Sequence, residues 1–265
     1  MAIVTTNDQH YHDIADAIRE KNGSDTQYTP AEMAAAIQAI SGGGGGGNEP
    51  VPPSTDGKTR LYITIPASAM EGEPPPRADV PLYISQTVAN GVSIDWGDGS
   101  AAETLSGTGN VNTTHHYNAA GDYVIALTVA EGCELGLGWG MSSYCVMGST
   151  KNSDSSNGAS GYRTMLKMCS IGSGVTSIGN NAFSSCYSLS SVNIPDNVTS
   201  IGNSAFSYCY SLKYVYFNSS TPPTIQSTTF NSIANDCIFS IPAGSLSAYQ
   251  SATNFTGFTF EERAE

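Results

Sequence analysis

The stretch VTSIGNNAFSSCYSLSSVNIPDN, residues 175–197, is followed without a gap by VTSIGNSAFSYCYSLKYVYFNSS, residues 198–220. The two share a period of 23 residues. Val175 maps to Val198, Ile178 to Ile201, Phe183 to Phe206, Cys186 to Cys209, Leu189 to Leu212 and Val192 to Val215. A unit of this size cannot bury its apolar face alone, so a fixed period in the twenties predicts a solenoid of stacked turns. Within each unit Ile178 and Phe183 are aimed at the interior, and Ala182 is small where turns crowd. The segment Leu189-x-x-Val192-x-Ile194 ends in the period-two alternation of a strand. Pro195 stops that strand and Asp196-Asn197 make the turn.

The array extends in both directions. Leu166, Cys169 and Ile171 precede Val175 with the spacing of Leu189, Val192 and Ile194 before Val198. Ile225 and Phe230 lie 24 residues after Ile201 and Phe206, and the strand-like run Cys237-Ile238-Phe239-Ser240-Ile241-Pro242 follows. The expectation is about four units, the outer two irregular as caps are. The pattern V-T-S-I-G-x-x-A-F-x-x-C-x-S-L-x-x-V-x-I-P, matched throughout by residues 175–195, resembles the BspA-like leucine-rich repeat of bacterial surface proteins and of phage or prophage proteins. Ile241-Pro242-Ala243-Gly244-Ser245, followed by Tyr249, looks like the C-terminal cap of that family. The resemblance implies a ligand-binding scaffold and leaves the ligand open.

At 265 residues the chain has room for two or three small domains. Charged residues make up only 12% of it, and the net charge is −13. That charge is unevenly placed. Residues 1–141 hold 17 acidic and 5 basic side chains, whereas residues 142–260 hold 3 acidic and 4 basic ones. With no basic patch to release counterions, nucleic acid is not an expected partner. The start, MAIVTTNDQHYHDIADAIREK, has neither a basic n-region nor an apolar core, and no cell-wall anchor is visible at the C-terminus. No apolar run approaches the roughly 20 residues of a membrane span, so no membrane insertion is expected.

Residues 8–40 read as two short helices. Ile14, Ala17 and Ile18 share one face, and Asn22-Gly23 ends the first helix. The second opens on Thr29 as N-cap, Pro30 at N1 and Glu32 at N3. Met33, Ala36, Ile37 and Ile40 then form an apolar stripe. Two such helices need a partner or symmetry mates to be stable, which makes Ile14, Ile18, Met33, Ile37 and Ile40 candidate docking or oligomerisation residues. The segments IADAIREKNG and YTPAEMAAAIQAI resemble an N-terminal module of predicted tail-associated proteins of Firmicutes phages and prophages. Residues 41–59, six glycines followed by NEPVPPSTDGK, read as a flexible linker that stiffens towards polyproline.

Residues 60–131 read as a β-sandwich. Strands are expected at Leu61–Ile65, Val80–Ile84, Val92–Trp96 and Tyr123–Val129, with a tight turn at Gly97-Asp98-Gly99. The sequence W-G-D-G-S at 96–100, then His115-x-Tyr117, Gly121-x-Tyr123 and Leu127-Thr128-Val129, resembles the PKD domain, an immunoglobulin-like sandwich. The resemblance implies a spacer or binding module without catalysis. Residues 132–161 are a Gly-, Ser- and Asn-rich connector with Trp139, Met141, Tyr144 and Met147 as apolar anchors, and their low charge suggests packing on the first solenoid turn.

No constellation of catalytic residues stands out. Asp95 and Asp98 flank a turn, which the sandwich pattern explains as framework; acid–base work or, with Asp122, calcium binding is the weaker reading. His115 and His116 are adjacent and face opposite sides of a strand. No G-x-S-x-G elbow occurs, and no Lys-Ser/Thr follows the glycine run. The six cysteines lack zinc-ligand spacing, and Cys186 and Cys209, one above the other, are expected as buried thiols. The expectation is therefore no enzyme, no cofactor and no metal. Alternation along the solenoid strands places Met168 and Ser170, Ser191 and Asn193, and Tyr214 and Tyr216 in an outward column. Tyr187, Tyr208 and Tyr210 add aromatic surface on adjacent turns. Rigid tyrosines among small polar residues also make up antibody paratopes.

These readings give a mainly β, multidomain chain: an N-terminal helical hairpin over 1–40, a linker over 41–59, an immunoglobulin-like β-sandwich over 60–131, a connector over 132–161 and a short leucine-rich-repeat-like solenoid over 162–265. The function expected is a receptor-binding, adhesin-like protein of a phage or prophage tail. Its N-terminus would dock to other tail or baseplate proteins, and its solenoid would contact a glycan or protein of the host surface. A homo-oligomer is expected, a trimer among the options. The alternative is a bacterial cell-surface adhesin, which would place the protein on the cell surface rather than on a virion.

Overall fold

The computed structural model describes residues 51–66, 79–138, 144–149 and 159–263. The helices expected over residues 8–40, with the docking residues Ile14, Ile18, Met33, Ile37 and Ile40, lie outside the described residues, as do Trp139 and Met141.

Alternating burial builds the first part. Its strands are β1 (Thr59–Ile65), β2 (Asp79–Gln86), β3 (Val92–Asp95), β4 (Glu103–Thr104), β5 (Gly109–His116), β6 (Gly121–Val129) and β7 (Leu135–Leu137). Every second residue of β2 is buried, from Val80 to Gln86, as in a strand with one face in a core. β1, β6, β3 and β4 are neighbours in one antiparallel arrangement, and β5, β2 and β7 form a second sheet. Both contribute to one apolar cluster, in which Leu61, Leu82, Ile94 and Ile125 are fully buried. Trp96 lies under His115, ring centroids 4.7 Å apart, and the Tyr117 hydroxyl donates to the Trp96 carbonyl at 2.9 Å. Gln86 is buried but satisfied. Its amide donates to the Leu105 and Gly107 carbonyls at 2.5 and 2.7 Å and accepts from the Val92 N–H at 3.1 Å. A buried amide with fewer partners would destabilise the fold.

Then comes a small hairpin, β8 (Tyr144–Cys145) with β9 (Gly148–Ser149), and the short helix α1 (Ala159–Met165). Val146 N–H donates to the Ala182 carbonyl at 2.8 Å, and Leu135 N–H to the Gly174 carbonyl at 3.0 Å. The described part of the connector is thus bonded to the first solenoid turn.

The 23-residue unit folds as one turn carrying two strands. The longer ones are β10 (Leu166–Ser170), β12 (Ser191–Ile194), β14 (Tyr214–Phe217) and β16 (Ile238–Pro242), joined in parallel register and closed by β17 (Thr259–Arg263). The shorter ones, β11 (Ser177–Ile178), β13 (Ser200–Ile201) and β15 (Thr224–Ile225), make a narrow second sheet. This gives a β-solenoid of about four turns. The irregular segments between the strands also stack by backbone bonds. Phe183 N–H donates to the Ala205 carbonyl at 2.7 Å, and Phe206 N–H to the Thr229 carbonyl at 2.9 Å. Buried backbone groups must find such partners. Gly202 is required by the approach of turns, because a Cβ there would meet the Asn180 amide nitrogen at 2.6 Å.

Inside, repeat positions become columns. Phe183, Phe206 and Phe230 stack with centroids 5.1 Å apart at each step and rings within 5° of parallel. All six cysteines are free and buried. Burial pushes the Cys169 and Cys209 thiols well above their usual range, and Cys237 up to about 12. At the far end Tyr249, on helix α2 (Leu246–Ser251), is fully buried and donates its hydroxyl to the Ser219 carbonyl at 2.8 Å. Phe255, Phe258 and Phe260 complete an aromatic plug around Phe239.

The two modules read from the sequence as 60–131 and 162–265 are not separate sheets. β1 pairs antiparallel with β6 on one side and with β10 on the other. One nine-stranded sheet therefore runs β17-β16-β14-β12-β10-β1-β6-β3-β4. The first solenoid strand has its open edge covered by β1, which removes a site of unwanted pairing. Val51, inside the stretch read as linker, is buried, and Thr59 of the same stretch already belongs to β1.

Candidate binding surface

The outward column expected on the long strands is only partly a surface. Register aligns Tyr62, Met168, Ser191, Tyr214 and Ile238 in one row, and Arg60, Ser170, Asn193, Tyr216 and Ser240 in the next. Met168, Tyr214 and Tyr216 are half-buried, but Ser170, Ser191 and Asn193 are buried. The expectation that all six present themselves to solvent is corrected. Period-two alternation fixes which way a side chain points, whereas its exposure depends on the height of its neighbours. Ser191 sits between Met168 and Tyr214, and Asn193 accepts a bond from the Asn218 amide at 2.9 Å. Arg263 lies 5.8 Å from the Tyr216 ring and donates to the Phe217 and Ser240 carbonyls at 2.7 and 2.9 Å. Tyr214 and Tyr216 lean on each other, centroids 5.8 Å apart. This face is largely closed by its own side chains.

The second group behaves differently. Tyr208 and Tyr210 are among the most exposed large apolar side chains of the described residues, at 43% and 57%. Tyr187 stacks on Tyr210, centroids 5.8 Å apart and rings 8° from parallel, and Tyr208 meets Tyr210 edge-on at 6.1 Å. The stack arises from the repeat, since Tyr187 and Tyr210 are one period apart. Its first rung is one that the sequence reading missed. Arg163, 24 residues before Tyr187, places its guanidinium 5.9 Å from the Tyr187 ring centroid. The signal was that spacing, obscured because the first unit is degenerate and starts from a helix.

Tyr208 is held in a costly conformation. Its φ is +61°, as are its counterparts Ser185 at +60° and Ser232 at +57°. The turn itself demands the left-handed region, where a bulky residue is an outlier. A strained, exposed aromatic in place of serine points towards use rather than stability. Replacing Tyr208 with glycine is expected to raise unfolding stability by about 0.5–1 kcal/mol, measured by urea denaturation of both proteins. A lower midpoint for the variant would count against strain at this position.

The aspartates and histidines of the first part are bonded to their own turn and strands. The Asp95 carboxylate accepts from the Gly97 N–H, and Asp98 from the Ser100 N–H, both at 3.0 Å. His115 Nε2 lies 2.8 Å from Asp98, while His116 pairs with Asp79. Burial opposes ionisation of Asp98, but the Ser100 hydroxyl, His115 and the Ser100 amide outweigh it and hold the carboxyl at about 2. A depressed carboxyl stabilises the fold above its unfolded value of 3.8 and loses that contribution as pH falls towards 2. After solvent screening the loss is expected to be about 1 kcal/mol. Denaturation at pH 5 and at pH 2.5 should show it, and Asp98→Asn should already lack it at pH 5. Among the described residues no group of three or more His, Cys, Asp or Glu side chains is placed to hold a metal ion. None of the described helices is long and apolar enough to cross a membrane.

No curated protein matches this chain. Residues 160–262 match the sequence profile of the BspA type leucine rich repeat region, in six copies. The solenoid that carries the tyrosine stack is thus built of BspA-like leucine-rich repeats, which are typical of surface adhesin-like proteins.

Proposed function

We propose that the protein is a receptor-binding, adhesin-like component of a phage or prophage tail, whose solenoid contacts the host surface. The observation that carries the binding role is the exposed tyrosine stack of Tyr187, Tyr210 and Tyr208, with one rung held in a strained conformation. Rigid aromatic area gives contact at low entropic cost. The PKD-like strands of residues 60–131 act as the stem in this reading, and residues 1–40 dock to the particle with symmetry mates. The alternative, a cell-surface adhesin of a bacterium, is supported by the BspA-like repeats, which are typical of surface adhesin-like proteins.

Two experiments test this. Fluorescently labelled full-length protein should decorate intact host cells, and the double substitution Tyr208→Ser, Tyr210→Ala should weaken binding about tenfold or more. Undiminished binding by that variant would remove the stack from the interface. Gold-labelled antibody against residues 1–40 should mark tail structures on particles; labelling of uninfected cells instead would select the bacterial adhesin.

A further inference from the structure

We propose that the tyrosine stack takes an anionic saccharide, a glycan bearing carboxylate or phosphate groups, with Arg163 as the counter-charge at its first rung. This deepens the surface-binding reading and rests on it.

Arg163 is 5% exposed, and its Nε meets no hydrogen-bond partner. None of the ion pairs among the described residues includes it. An arginine withdrawn from water without a carboxylate is unfavourable. The Tyr187 ring offsets part of that cost, because a cation over an aromatic face is attracted to it. It does not satisfy the Nε donor, which in a guanidinium is one of those that meet carboxylate or phosphate oxygens.

The solenoid that carries the stack is nearly free of the acidic charge of the rest of the chain. The chain as a whole is at −13, yet residues 142–260 hold four basic and three acidic side chains. Lys167 follows Arg163 by four residues, and Lys213 follows Tyr210 by three. Lys213 is paired at 2.8 Å with the exposed Asp236. Lys167 Nζ instead donates to the Thr164 carbonyl at 2.9 Å. An anion approaching this protein meets repulsion over the acidic N-terminal half and little over the nearly uncharged solenoid, where Arg163 is the cation set against a tyrosine ring of the stack. A free small anion would have no use for two exposed phenol rings. A saccharide chain has apolar ring faces to lay on Tyr210 and Tyr208 and charged substituents to bring to Arg163.

The test uses the full chain and three probes, with binding followed calorimetrically at low and at physiological salt. An oligogalacturonate supplies carboxylates, a poly(glycerol phosphate) supplies phosphates, and the methyl-esterified oligogalacturonate is the neutral counterpart. At least one anionic probe is expected to bind about tenfold more tightly than the ester, with affinity falling as salt rises. Which of the two binds identifies the anion. Arg163→Gln should lose that advantage, Arg163→Lys should retain part of it, and Tyr210→Ala should weaken both anionic and neutral binding. If Arg163→Gln does not fold, the salt dependence of the unaltered protein still decides. Equal binding of the ester, or salt-independent binding, overturns the proposal. So does failure of both anionic probes. If the protein nonetheless decorates host cells, only the ligand class falls; if it does not, the surface-binding role falls too.

Discussion

Phe206→Ala is expected to destabilise the protein by about 3–5 kcal/mol, the range for deleting a buried phenylalanine. Phe206 is fully buried and stacked on both sides, on Phe183 and on Phe230, each 5.1 Å away. It lies in the middle of the column, so its loss removes two ring contacts rather than one. A cavity there cannot collapse readily, because the turns above and below are fixed by backbone bonds from Phe183 to Ala205 and from Phe206 to Thr229. In a solenoid each turn is stabilised by its neighbours. The effect should therefore exceed that of Phe230→Ala, whose ring is 5% exposed and backed by the aromatic plug. Urea denaturation of both variants checks the order. An equal or larger loss from Phe230 would mean that the terminal plug, and not the column, holds the repeats.

That column was legible from the sequence because a 23-residue repeat forces equivalent residues into line. The same holds for Cys186 and Cys209 and for Tyr187 and Tyr210. The terminal cap was legible too, through Ile241-Pro242 and Tyr249. What could not be read was what lies beside a strand. β12 alternates in direction like any strand, yet all four of its residues are buried. Ser191 and Asn193 are short side chains among taller ones, a property of the assembled sheet rather than of the segment. The position of Arg163 at the Tyr187 ring escaped for a related reason: it lies one repeat before Tyr187 but comes from α1, where the motif has vanished.

The longest-range feature, the junction of β1 with β10, had no local signal, and it carries the second large prediction. Gly172→Val is expected to cost about 3 kcal/mol or more. A Cβ at Gly172 would fall against the Gly57 carbonyl oxygen and within 2.5 Å of the Lys58 carbonyl carbon, both backbone atoms that cannot swing aside. The same glycine donates its N–H to the buried Thr59 hydroxyl at 2.9 Å, across 113 residues of sequence. Thr59→Val removes that acceptor while keeping the shape, and leaving a buried N–H unpaired should cost about 1–3 kcal/mol. The two substitutions attack one seam by different physics, one by collision and one by a missing partner. Because a single sheet crosses the seam, the unaltered protein should unfold residues 59–263 in one cooperative transition. Gly172→Val should split it in two, with the strands of residues 59–137 and the solenoid melting separately, as followed by calorimetry. Separate melting in the unaltered protein would show that the continuous sheet does not couple them. In that event the N-terminal strands would be a detachable stem. If they do melt together, they are the cap that the solenoid's first strand requires, since β1 is what covers the edge of β10.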